Sequence, residues 1–219
     1  MTSNGDVRPR QRGPKALLSR QAIVLAALEA LREGGPAALT MRGLAARLDT
    51  GPASLYAWVR NQRELHVLVL DAIASEVELP DESDPPDRQL VQLLLNYALR
   101  LFAYRGAAQL ALAAQPTGPA HLDLLERCLG LLERIGVPQR QAAPGLDTLI
   151  LLVTATIAEQ DTRETGEGPE TIPDFYDAAI AADPNRRPRI AAGAALLRTL
   201  DGNERLGESI RTFLRGLTG

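Results

Sequence analysis

The chain is short of the side chains that most enzymes use for chemistry. Its 219 residues include one cysteine, Cys128, and two histidines, His66 and His121. A single thiol excludes an intrachain disulfide framework, and a reduced, cytoplasmic compartment is expected. The histidines are far apart in sequence and show no ligand spacing, so no metal is expected. Glycine-rich phosphate loops are missing too. With no nucleophile beside a plausible base, an enzyme is a poor reading, and no cofactor is expected. Aromatic residues make up only 4% of the chain, so aliphatic side chains and alanine must fill the core. Apolar runs of the roughly 20 residues that span a bilayer are absent, as is an apolar signal core, so no membrane contact is expected. Lysine is almost absent: of 24 basic residues only Lys15 is not arginine. Such a bias follows genomic base composition, so arginine counts alone carry little functional weight.

What is present is an uneven charge distribution. Residues 1–65 carry ten basic and five acidic side chains, leaving fourteen basic against twenty-two acidic in the remainder. A basic head on an acidic body points to a polyanion that meets only the head. A merely solvated surface is the plainer alternative.

Helical periodicity and breakers organise the rest. Residues 1–18 read as a flexible basic arm, because prolines and alternating cations block a helix. Ser19 reads as an N-cap before apolar positions Ala22, Ile23, Ala26, Ala27, Ala30 and Leu31. Gly34-Gly35-Pro36 stops that helix. Thr40 caps a second short helix, Asp49-Thr50-Gly51 is a turn, and Pro52 opens a third helix over 52–59. A longer helix is expected over 63–77. After an acidic, proline-rich connection at 80–86, helices are expected at 87–104, 106–114, 119–135, 142–163, 172–182, 186–199 and 203–217. Leu149-Ile150-Leu151-Leu152-Val153-Thr154 fits a buried strand in isolation. It sits in a long segment without turn signals, which favours helix. The chain is read as all-α, with a helix-turn-helix unit at 19–64 and a larger helical domain at 65–219.

The two short helices joined by a tight turn form the layout whose second helix enters the major groove of DNA. Leu44, Ala45, Leu48, Leu55 and Val59 would face inward. Arg42, Ser54, Tyr56, Trp58 and Arg60 are left pointing elsewhere. Tyr56 and Trp58 either meet a partner surface or pack on the first helix.

The segments Leu39-Thr40-Met41-Arg42-Gly43-Leu44-Ala45-Ala46-Arg47-Leu48 and Pro52-Ala53-Ser54-Leu55-Tyr56-Ala57-Trp58-Val59-Arg60-Asn61-Gln62-Arg63-Glu64-Leu65 resemble the DNA-binding domain of the tetracycline-repressor (TetR) family. The resemblance is strong over about residues 16–70. The closing Phe213-Leu214-Arg215-Gly216-Leu217 is similar as well. One departure is Asp49, where the family usually has glycine; aspartate tolerates a left-handed backbone, so the turn can survive. The resemblance implies that Thr40 caps the second helix and meets a phosphate through its hydroxyl and backbone N–H. It implies that Tyr56 and Arg60 also bind phosphate. Arg42 is expected at a base edge, and Pro52, Ala53, Ser54 and Trp58 face the groove. Gln62 replaces a frequent cation, which weakens one phosphate contact. Arg8, Arg10, Arg12 and Lys15 of the arm either follow the DNA or have no specific role.

The resemblance further implies a homodimer paired through the helices at 142–163 and 203–217, and a small-molecule inducer bound in the larger domain. An apolar pocket between 87–104 and 142–163 is expected. Its candidate walls are Leu94, Tyr97, Leu101, Tyr104, Leu112, Gln115, Leu125, Leu149, Val153, Thr154 and Ile157. Tetracycline itself is not expected, because Ala111-Leu112-Ala113-Ala114-Gln115-Pro116 lacks the histidine of the archetype. Glu159-Gln160 echoes a Glu-Gln pair of the archetype, which is too little for a metal. The helix at 63–77 is the only continuous element joining head to body, so it would carry the signal. The leading expectation is a repressor of a palindromic DNA operator released by an apolar or weakly polar inducer. The alternatives are a DNA-binding regulator controlled by a protein partner and a helical interaction module that does not bind DNA.

Overall fold

In the computed structural model, residues 18–165, 178, 183 and 185–218 are described, and among them the chain forms α-helices and no strand. The head comprises α1 (Arg20–Gly34), a 3-10 turn (Pro36–Ala38), α2 (Met41–Arg47) and α3 (Pro52–Tyr56), followed by α4 (Gln62–Ser75). The body contains α5 (Pro86–Phe102), α6 (Ala107–Ala114), α7 (Pro119–Ile135), α8 (Gln139–Thr165), α9 (Pro188–Arg198) and α10 (Gly202–Thr218). The arm, with Arg8, Arg10, Arg12 and Lys15, lies outside the described residues, as does the expected helix at 172–182 apart from Ala178.

Helices α1, α2 and α4 begin where a side chain can take an orphan N–H, whereas α3 opens on Gly51 and Pro52 without a side-chain cap. The Ser19 hydroxyl accepts from Ala22 N, the Thr40 hydroxyl from Gly43 N and the Asn61 amide oxygen from Glu64 N. Asp49 adopts φ 47°, the left-handed conformation that lets the turn after α2 form without glycine. The third helix is shorter than the expected 52–59. Trp58 N and Val59 N both donate to Leu55 O, which tightens the chain into a turn and buries Val59.

In the body, α5 packs against α7, α8 and α10, and α6 lies between α4 and α8. Buried residues run without a break from Ile23 through Leu65 and Leu94 to Leu214, so one core serves head and body. Contrary to the expectation from apolar runs, α8 has the length and composition of a membrane span, with a mean hydropathy of 1.4 in its best window. Its packing against α5, α6, α7 and α10 makes it the central helix of a bundle, which needs apolar side chains on several sides.

Head and body also meet away from α4. Gly106, at φ 72°, lies so close to Pro36 that a Cβ there would be 2.2 Å from the proline Cδ. Its N–H donates to Asp161 Oδ2 on α8 at 2.6 Å. Beside it, Arg32 of α1 donates to the Tyr104 hydroxyl at 2.8 Å and stacks 4.2 Å above its ring. The same hydroxyl donates to Glu76 at 2.6 Å. Burial, then the Glu76 carboxylate, pushes the Tyr104 phenol up to about 12. From the sequence, the helix at 63–77 is the only continuous element joining head to body. The structure adds this non-covalent bridge through the α5–α6 turn.

Candidate nucleic-acid interface and ligand cavity

The helix-turn-helix is held from beneath. Leu44, Leu55 and Val59 are fully buried and Ala45 nearly so, which fixes α2 and α3 on a shared floor with α1 and α4. Arg47 reinforces the angle by pairing with Glu29 and Glu33 on α1. The Gln62 amide donates to Leu39 O at 3.0 Å, so this residue serves the fold of the head.

The opposite face is open. Arg42, Pro52, Ala53, Ser54 and Arg60 are exposed. Tyr56 is 52% and Trp58 45% exposed, so about half of each side chain faces solvent. Thr40 differs in part from expectation. Its backbone N–H already donates to Ala38 O at 2.9 Å, and its oxygen accepts from Gly43 N, leaving the hydroxyl proton to reach outward. Arg60 leans on Glu64, with Nε at 3.2 Å, yet its side chain is 86% exposed. Glu64 also accepts from the Arg60 backbone and from Arg20, and these contacts hold its carboxyl below the usual range. A phenol, an indole and two guanidinium groups are thus left exposed on the helix-turn-helix.

The body contains a cavity of about 520 Å³ bounded by α5, α6, α7 and α8. Its walls are Tyr97, Ala111, Leu112, Gln115, Pro116, His121, Leu125, Leu129, Ala143, Leu146, Asp147, Ile150, Leu151 and Thr154. Of the candidate walls, Tyr97, Leu112, Gln115, Leu125 and Thr154 lie around this one cavity. Leu94, Leu101, Tyr104, Leu149, Val153 and Ile157 are buried but are not among these walls. The reason is helical phase: on α8 the stripe 149–153–157 packs into the core, whereas 143–147–150–154 faces the opening. Tyr104 instead joins head to body. His121 was known from the sequence only as an isolated histidine. Here its ring lies 6.0 Å from the Tyr97 ring, and burial pushes its pKa below the usual histidine value, with Asp71 opposing. Among the described residues, no three His, Cys, Asp or Glu side chains gather in a way that could hold a metal. A larger depression of about 850 Å³, bordered by Arg88, Arg134, Arg211 and Arg215, touches neither α4 nor α6, so the smaller cavity is the better-placed site.

His121 also connects the cavity to the head. Its backbone N–H donates to Asp71 Oδ1 on α4 at 3.1 Å. Helix α7 starts at Gly118, which has no capping side chain, and Asp71 supplies the cap from another helix. A Cβ at Gly118 would lie 2.2 Å from Asp71 Cγ, so the bare glycine makes room for the carboxylate.

Residues 88–218 match the family model described as the tetracyclin repressor-like C-terminal domain. The chain belongs to the tetracycline-repressor (TetR) family. Its relatives are transcriptional regulators, not enzymes. The tetracycline repressor protein class D of Escherichia coli is 26% identical, over 92% of this chain and 89% of its own length. The transcriptional repressor DrrR1 of Streptomyces coeruleorubidus is 30% identical over 67% of this chain and 53% of its own length. Among solved structures, apo ActR of Streptomyces coelicolor superposes with a TM-score of 0.78 at 32% identity, covering 92% of this chain and 95% of ActR. ActR has also been solved with (S)-DNPA and with actinorhodin.

For a TetR-family head with this exposed face, two substitutions should behave differently. Tyr56→Phe removes only a hydroxyl and should weaken operator and random DNA about equally, since a phosphate contact carries no base information. Arg42→Ala should cost about 1–3 kcal/mol on operator DNA and relax preference at one base pair. Competitive binding against a set of single-base operator variants checks both. Equal losses on all sequences for Arg42→Ala would remove it from the base edge.

Proposed function

We propose that this TetR-family regulator is a homodimeric repressor that binds a palindromic operator and is released when a small molecule fills the α5–α8 cavity. The observation that carries the reading is the Asp71–His121 hydrogen bond: one wall residue of the cavity is fastened to the helix that carries the DNA-binding head. The exposed Arg42, Tyr56 and Trp58 supply DNA contacts, with Thr40 and Arg60 on phosphates and Pro52, Ala53 and Ser54 at the groove. Pairing through α8 and α10 is supported by α8 itself. Leu149 and Val153 are buried in the protomer, yet Thr148, Ala155 and Glu159, which are not cavity walls, are exposed, so a further side of α8 is free for a partner. The cavity suits an apolar or weakly polar inducer, because Leu125, Leu146 and Ile150 surround a few neutral anchors such as Tyr97 and Thr154. A regulator of this kind acts in the cytoplasm.

Ligand entry between α7 and α8 displaces the start of α7, Asp71 transmits the shift to α4, and the separation of the two heads changes. By linkage, operator DNA weakens ligand binding by the same factor, typically 5–150-fold. The test is a compound screen by melting shift, followed by titration of each hit with and without operator. Hits that stabilise the protein should lose affinity when operator is present. Hits with equal affinity in both states would contradict the coupling.

A further inference from the structure

We propose that the ligand of this cavity carries a positive charge, seated against Asp147 at the mouth while its apolar part points inward; this rests on the cavity being the inducer site. Among the described residues, the walls hold a single formally charged side chain. Asp147 is exposed on α8, on the same face as Ile150 and Thr154. Among the described residues, no arginine or lysine lines the opening and Asp147 has no ion-pair partner. The other polar walls are neutral at ordinary pH. The Tyr97 phenol is pushed up to about 12 by burial, and the desolvated His121 ring is held below its ordinary value.

This arrangement sorts ligands by charge. A molecule with a protonated amine can bury its apolar part beside Tyr97 and Leu146 and leave the cation near the one carboxylate. A molecule with a carboxylate or phosphate would have to place that group among aliphatic walls with no cation to pair it, or beside Asp147, where like charges repel. Neutral ligands lie between. The selection is electrostatic and local, because Asp147 stands at the opening, where only a group within a few ångströms gains from it.

The probes are 9-aminoacridine, a planar cation at neutral pH, and acridine-9-carboxylate, an anion on the same three rings. Each is titrated into the full-length protein by fluorescence and calorimetry. The cation should bind more tightly by about tenfold or more. Asp147→Asn, at an exposed position without partners, should keep the melting temperature and bring the two affinities to within about threefold. Equal affinities in the natural protein, or a preference that survives Asp147→Asn, would overturn the charge assignment and leave the inducer reading standing. If neither probe binds and no compound in the screen shifts the melting temperature, the inducer site itself fails, and this proposal with it.

Discussion

Gly106→Ala is expected to destabilise the protein and disturb the seat of the DNA-binding head. Two costs combine. The backbone at φ 72° is left-handed, which costs an alanine about 1–2 kcal/mol. The added Cβ would lie 2.2 Å from Pro36 Cδ and 2.5 Å from its Cγ, and relieving that overlap costs on the order of 1–3 kcal/mol more. In a chain of this size each kcal/mol is about 2–4 °C in Tm. The overlap can be separated from the backbone cost. Pro36→Ala removes the atoms that collide, so the double variant should recover the second part and keep the first. Thermal melts of the two single variants and the double provide the cycle. Strict additivity would mean that the α5–α6 turn does not bear on the head.

Asp71→Ala is expected to separate the cavity from the DNA. The carboxylate caps α7 through His121 N, so its loss should cost about 1 kcal/mol of stability. The larger effect is on regulation. With the cap gone, a ligand that shifts the start of α7 no longer pulls on α4. A ligand found by melting shift should still bind, but its effect on operator affinity, typically 5–150-fold, should fall toward none. Asp71→Asn keeps an acceptor oxygen and should retain part of the response. Operator titrations with and without ligand, on all three proteins, measure it. A full response in Asp71→Ala would place the signal in another contact, such as the packing of α4 on α7 or the Pro36–Gly106 seat.

These two predictions depend on contacts that sequence reading did not reach, and the reason is physical. The local rules were legible. Ser19 and Thr40 announce helix starts because their hydroxyls satisfy orphan N–H groups within three residues. Asp49 announced a left-handed turn, and its φ of 47° fits that reading. The inward faces of α2 and α3 followed from period alone, and Leu44, Leu55 and Val59 are fully buried. The cavity was harder because α8 is apolar on several sides, so composition does not choose which stripe faces core and which faces space. Leu149, Val153 and Ile157 went to the core, while Leu146, Ile150 and Asp147 line the opening. Tyr104, read as a ligand anchor, is a bridge to Arg32 and Glu76. Asp71 caps a helix that begins some 50 residues later, and no spacing rule connects such a pair.

Two heads are expected to read DNA together. A recognition helix of five residues contacts few base pairs, so useful affinity requires two half-sites. The direct measurement is footprinting on DNA selected from a random pool by the purified protein, with the number of bound chains determined on the same fragment. The expected result is an inverted repeat occupied by two chains, with half-site centres about 34–36 Å apart or a multiple of that spacing. Binding should also weaken steeply with salt. A single asymmetric site occupied by one chain, or a pool that shows no enrichment at low salt, would contradict it.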